Sequence, residues 1–113
     1  MARGVGMIEV TEFVVYDDTL TLPDALYLAA SLESASAHPI ARAIVAKGAM
    51  LKRALATPYE YKEIPGQGVA GIVLGKLVEI GNFACLNAPA EQVFMFINRK
   101  LAARITLSPP PRC

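Results

Sequence analysis

Apolar positions recur with two different spacings along the 113-residue chain, and the change of spacing divides it. Residues 7–16, MIEVTEFVVY, are β-branched and aromatic and predict a strand. DDTLTLP follows as a polar turn, with Thr21 placed to cap a helix, Asp24 three residues on, and Pro23 in the first turn. Residues 25–35, ALYLAASLESA, then predict a helix of about three turns, so apolar that much of its girth must be buried. Ile40, Ile44, Met50, Leu51 and Leu55 recur at helical spacing and predict a second helix over 39–55, with Arg42, Lys52 and Arg53 mostly off that stripe. It ends before Pro58, which disfavours helical geometry at Thr57.

From residue 59 the pattern turns to strands. YEYKEI (59–64) alternates and stops at Pro65. VAGIVL (69–74) and LVEIG (77–81) flank a predicted turn at Gly75-Lys76. VFMFIN (93–98) and LAARITL (101–107) flank another at Arg99-Lys100, and a short helical stretch is expected near 83–90. Strands and helices are clustered instead of alternating. The expected class is therefore α+β, an antiparallel sheet of about six strands flanked by helices.

Length and composition fit a single globular domain over 1–113, with a core at 7–107 and a proline-rich tail, SPPPRC, at 108–113. Hydrophobic residues make up 54% and charged residues 19%, and the 8 glycines and 8 prolines point to turns, not disorder. Net charge is +1 with no basic block, which argues against a nucleic-acid partner. Cys85 and Cys113 match no metal spacing and read as free thiols in a reducing compartment. The first ten residues lack the apolar stretch of a signal peptide, and no run approaches 18 apolar residues, so a soluble, cytoplasmic, monomeric chain without direct membrane insertion is expected.

Three stretches could carry chemistry. GQGVAG (66–71) fits GxGxxG, but a strand follows it where a dinucleotide fingerprint needs a helix. It reads either as a glycine-rich turn, the simpler local reading, or as a place where Gly66 and Gly68 let the backbone lie flat against a planar ligand. YDDTLTL (16–22) pairs two carboxylates with hydroxyls, and a solvated turn before a helix cap accounts for it. The third is SASAHPIARAIV (34–45), which holds the single histidine of the chain. Glu33 ends the first helix and His38 opens the second, so a short turn could aim both into one space. An imidazole offers a flat face, a donor and an acceptor, and a carboxylate can accept from an exocyclic amine. Those groups suit an adenine ring. Taken alone, they read more simply as a solvated helix end and a surface histidine.

Together the pieces resemble a known family. ESASAHPIARAIV is similar to the E-x-x-S-x-H-P-[IL]-A-x-A-I-V signature of the nucleotide-binding domain of P-type heavy-metal-transporting ATPases, such as copper exporters. IPGQGVAG resembles that family's G-x-G-V segment, and VEIGN its [VI]-G-N, in the same order and over residues 7–107. The resemblance implies that Glu33 and His38 contact the adenine of ATP, that Gly66 and Gly68 form a flat wall, and that Asn82 serves the nucleoside side. It also implies that the phosphates face a separate phosphorylation domain, that magnesium is held only together with that domain, and that the actuator domain of a parent pump is a further partner.

The sequence departs from the family in several places. Ala37 stands where the family usually has an acid, and Pro109, Pro110 and Pro111 where it has an acid after the final serine. DKTGT, GDG, CPC and the membrane helices are absent, so the chain reads as the nucleotide-binding domain alone, excised or encoded by a truncated gene, binding ATP without turning it over. The alternative is a degenerate interaction or regulatory module that no longer binds nucleotide. An independent small enzyme would need a nucleophile–base pair or metal cluster that the sequence does not offer.

Overall fold

Strand β1 (Glu9–Val15) leads to helices α1 (Leu22–Glu33) and α2 (Pro39–Gly48), a 3-10 turn (Ala49–Leu51), and strands β2 (Tyr59–Ile64), β3 (Gly68–Val73), β4 (Lys76–Gly81), β5 (Gln92–Ile97) and β6 (Lys100–Ser108). This computed structural model describes residues 8–65, 67–81 and 92–108. The expected helical stretch near 83–90, both cysteines, Gly66, Asn82 and the residues after Ser108 lie outside them. The strands form one antiparallel sheet in the order β1-β6-β5-β4-β3-β2. Strands β2 to β6 are thus a meander, and β1 closes it on the far side of β6.

Alternation along the strands sends one row of side chains toward the helices. Val69, Ile80, Met95 and Ala103 are successive partners across β3, β4, β5 and β6, and all four are buried. Burying Ile80 or Met95 stabilises the fold by about 1.5–3 kcal/mol relative to exposure. The same core takes Leu26, Ala29, Ala30 and Leu32 of α1 and Ile44 of α2. Every residue of α1 from Ala25 to Glu33 is buried, as its apolar girth requires. Its start follows the sequence: the Thr21 hydroxyl accepts the Asp24 amide at 3.2 Å. The helix itself spans 22–33 instead of 25–35.

The second helix is shorter than its apolar stripe suggests. It ends at Gly48, tightens through Ala49–Leu51, and reverses at Lys52, whose φ of 56° is left-handed. Met50 lies outside the core at 71% exposure. Residues 52–58 then run along α1 and are fastened to it. The Ser31 hydroxyl accepts the Ala56 amide at 3.1 Å, the Tyr27 hydroxyl donates to the Ala54 carbonyl at 2.8 Å, and the Arg53 guanidinium lies 4.1 Å from the Tyr27 ring centre. Leu51 and Leu55 therefore reach the core from a 3-10 turn and a loop, not from a continued helix.

Both hairpin turns sit one residue earlier than the sequence suggests. Val73 pairs with Lys76, leaving Leu74-Gly75 as the turn, and Ile97 pairs with Lys100, leaving Asn98-Arg99. All four turn residues have positive φ, as two-residue hairpins of this twist need. Asn98 secures its turn to β4: its side-chain oxygen accepts the Leu77 amide at 3.1 Å, and its own amide donates to the Leu77 carbonyl at 2.8 Å. The Asp17 carboxylate accepts the Thr19 amide and hydroxyl at 2.8 and 2.6 Å. These bonds hold that carboxyl below its usual range, so the YDDTLTL stretch is a side-chain-stapled turn.

Candidate functional site

The C-terminus of α1, the start of α2, the end of β2, the start of β3 and the end of β4 meet at one corner of the molecule. Glu33 closes α1, and the chain turns through residues 34–38 before α2 begins. Ser36 in this turn donates its hydroxyl to the Glu63 carboxylate of β2 at 3.3 Å. Tyr61, two residues earlier on the same side of the strand, reaches that same oxygen at 3.5 Å. Ile64, next to Glu63, pairs with Gly68, and Gly68 pairs in turn with Gly81, which directly precedes Asn82. Three of the residues suggested by sequence, Glu33, His38 and Gly68, therefore fall at this corner. Gly66 and Asn82 lie outside the described residues.

His38 is the N-cap of α2, held in extended geometry with Pro39 beginning the helix. Its Nδ1 accepts the Ile40 amide at 3.1 Å, and its own amide donates to the Ser36 hydroxyl at 3.1 Å. A ring nitrogen that accepts a backbone N–H carries no proton, so the neutral ring has its proton on Nε2. The sequence left the imidazole with one donor and one acceptor to offer. In the fold the acceptor is used by the helix, and the exposed ring offers a face and one Nε2–H donor.

Glu33 is 4% exposed. Burial first, and the neighbouring Glu63 charge second, push its carboxyl up to about 8. At neutral pH it is therefore largely a neutral acid, with one donor and one acceptor in the plane of the group. Burial also pushes the Tyr61 phenol up. Among the described residues no group of three or more His, Cys, Asp or Glu side chains is placed to hold a metal.

The glycines at the corner have a structural cause. A Cβ on Gly68 would lie 2.1 Å from the Ile80 carbonyl oxygen and 2.7 Å from the Gly81 Cα. A Cβ on Gly81 would lie 2.0 Å from the Gln67 carbonyl oxygen and 2.8 Å from the Gly68 Cα. The two strands approach so closely that neither position admits a side chain. The sequence suggested a turn or a flat ligand wall at Gly68 and not this close approach of two strands, and it assigned no roles to Ser36, Tyr61 and Glu63. The alternation in YEYKEI, which puts Tyr61 and Glu63 on one side of a strand, was the available signal for the last two.

The architecture that carries this corner is a six-stranded antiparallel sheet with a helix pair packed on it. No family model matches the chain. It is similar, with 41% identity over 76 residues, to the probable copper-transporting ATPase PacS of Synechococcus elongatus, a match that covers 67% of this chain and 10% of that protein. The fold overlays the catalytic domain of the CPx-ATPase CopB-B, a domain that changes conformation upon nucleotide binding, with a TM-score of 0.75 and 30% identity over 96% of this chain and 39% of that one. It overlays the N-domain of HMA6, a copper-transporting P-type ATPase, with a TM-score of 0.76 and 25% identity over 91% of this chain and 100% of that one. The chain belongs to the heavy-metal-transporting P-type ATPase family and corresponds to its N-domain. It spans roughly a tenth of the length of the curated relatives that it matches. Among the described residues no helix is long and apolar enough to cross a membrane.

Proposed function

We propose that this N-domain binds an adenine nucleotide, ATP in the working cycle, by its base, and leaves the phosphates free for a separate phosphorylation domain. The observation that carries this reading is the convergence of Glu33, His38 and the Gly68–Gly81 junction on one corner, with the imidazole fixed by its own helix so that only its face and Nε2–H remain to be used. A ring face stacks on a purine, and a neutral carboxyl matches the adjacent amine and ring nitrogen at an adenine edge. Gly66, Gly68 and Asn82 would line the remaining sides of the base and nucleoside. Nothing in this arrangement activates a water, so binding without turnover is expected of this chain. Magnesium would be held with the phosphates by the phosphorylation domain. In a complete pump the domain would face the cytosol and work with the phosphorylation and actuator domains while remaining monomeric itself.

With the base as main anchor, affinity is expected at about 0.1–1 mM, roughly −4 to −5.5 kcal/mol, with ATP and ADP within a few-fold of each other. Titrating ATP, ADP, AMP and GTP while following backbone amides by NMR tests the reading. Shifts at His38 and Gly68 with adenine nucleotides, and little response to GTP, are expected. A folded spectrum that no adenine nucleotide perturbs would sink it in favour of an interaction module.

A further inference from the structure

Glu63 belongs to neither of the motifs at the corner. It lies on β2, 25 residues after His38 in the chain, and its carboxylate is nonetheless bonded into the turn that delivers the histidine. The connection has two links. The Ser36 hydroxyl donates to Glu63 Oε1 at 3.3 Å, and the oxygen of that hydroxyl accepts the His38 amide at 3.1 Å. A hydroxyl that both donates and accepts is fixed in rotation, so the far end of the chain decides where its lone pair points. The turn is also held from its other side, where the Ser36 amide donates to the Glu33 carbonyl at 2.9 Å. Tyr61 contributes a second donor to the same Glu63 oxygen at 3.5 Å. Without an acceptor at 63, the Ser36 hydroxyl keeps only its local bond from the His38 amide, and the turn that leads into α2 loses this tie to β2.

We propose that Glu63 is a positioning residue for His38, acting through the Ser36 hydroxyl to hold the imidazole at the angle from which it meets a base. The role rests on the adenine-binding reading above for its consequence, but not for its geometry. Position 63 requires an acceptor and not a charge, since the amide oxygen of glutamine can take the same Ser36 hydrogen bond.

The test compares Glu63→Ala with Glu63→Gln. Both variants remove the negative charge, so any general electrostatic effect on an anionic ligand cancels between them. ADP should bind Glu63→Ala about threefold to tenfold more weakly than Glu63→Gln, the range expected for loss of one hydrogen bond. Ser36→Ala should match Glu63→Ala, and the two alanines together should add nothing further. A second readout needs no ligand. The His38 amide and ring resonances should move in Glu63→Ala and stay near their parent positions in Glu63→Gln. Equal ADP affinities with unmoved His38 resonances in the two variants would overturn the proposal. If the parent protein itself binds no ADP, the adenine reading fails, and the His38 resonances still decide whether Glu63 positions the ring.

Discussion

Gly68 and Gly81 face each other as register partners across β3 and β4, each with its Cα under 3 Å from where a side chain on the other would begin. Packing this tight leaves no slack for a methyl group. Gly68→Ala and Gly81→Ala should each lower stability by about 2 kcal/mol or more, because the obstruction is backbone and cannot rotate away. Thermal unfolding of either variant within a degree of the parent would show that the strands can separate at no cost.

Glu33 gives the domain an unusual pH response. Its carboxyl takes up a proton on folding, since burial and Glu63 push it from 4.5 up to about 8. The folded state therefore holds more protons than the unfolded one across that window, and stability falls as pH rises through it. The contribution is fully present below about 4.5 and lost above about 8, with a span on the order of a few kcal/mol. Urea midpoints at pH 5, 6.5 and 8 should decline in that order for the parent. Glu33→Gln should flatten the decline, and an unchanged slope in that variant would assign the titration to another group.

His38 has two separable duties, a helix cap and a free ring. His38→Gln should weaken adenine-nucleotide binding about tenfold, near 1.4 kcal/mol, and also cost about 1 kcal/mol of stability, since glutamine is a poor cap. His38→Asn keeps a capping oxygen and should lose affinity alone. Calorimetry beside denaturant unfolding distinguishes the two, and equal stability losses would mean that the Nδ1 bond does not cap the helix.

Ser31 pins the loop after α2 to α1 through the Ala56 amide. Ser31→Ala strands that amide and should cost about 1–2 kcal/mol. Hydrogen exchange at Ala56 is the local probe, and it should quicken in the variant before global unfolding sets in.

The apolar stripe of the second helix supplies a paired test of what periodicity can tell. Ile44 is buried and Met50 exposed, although both fall on the stripe. Ile44→Ala should cost about 2–5 kcal/mol, and Met50→Ala should stay within about 0.5 kcal/mol. Comparable losses at the two positions would restore the longer helix.

These contrasts show where sequence reading succeeds here and where it stops. Strand and helix types were legible because side-chain alternation and Ala/Leu content are local. The cap at Thr21 was legible for the same reason. The end of α2 was not, because Ser31 and Tyr27, on another helix, draw residues 54–56 away from helical geometry. Both hairpin turns were found but displaced by one residue, since cross-strand register, including the bonds between Asn98 and Leu77, chooses which pair takes positive φ. At the corner, Glu33, His38 and Gly68 carried the resemblance. The neutral state of Glu33 and the tie from Glu63 depend on burial and on contacts across 27 residues of chain, and no local pattern encodes either.

The pairing of β1 with β6 sets Glu9 opposite Ser108. The backbone thus enters and leaves the sheet through two neighbouring strands on one edge. A body built this way can be spliced into a loop of another protein without prising that protein apart, because its two attachment points fit within the width of a single strand pair.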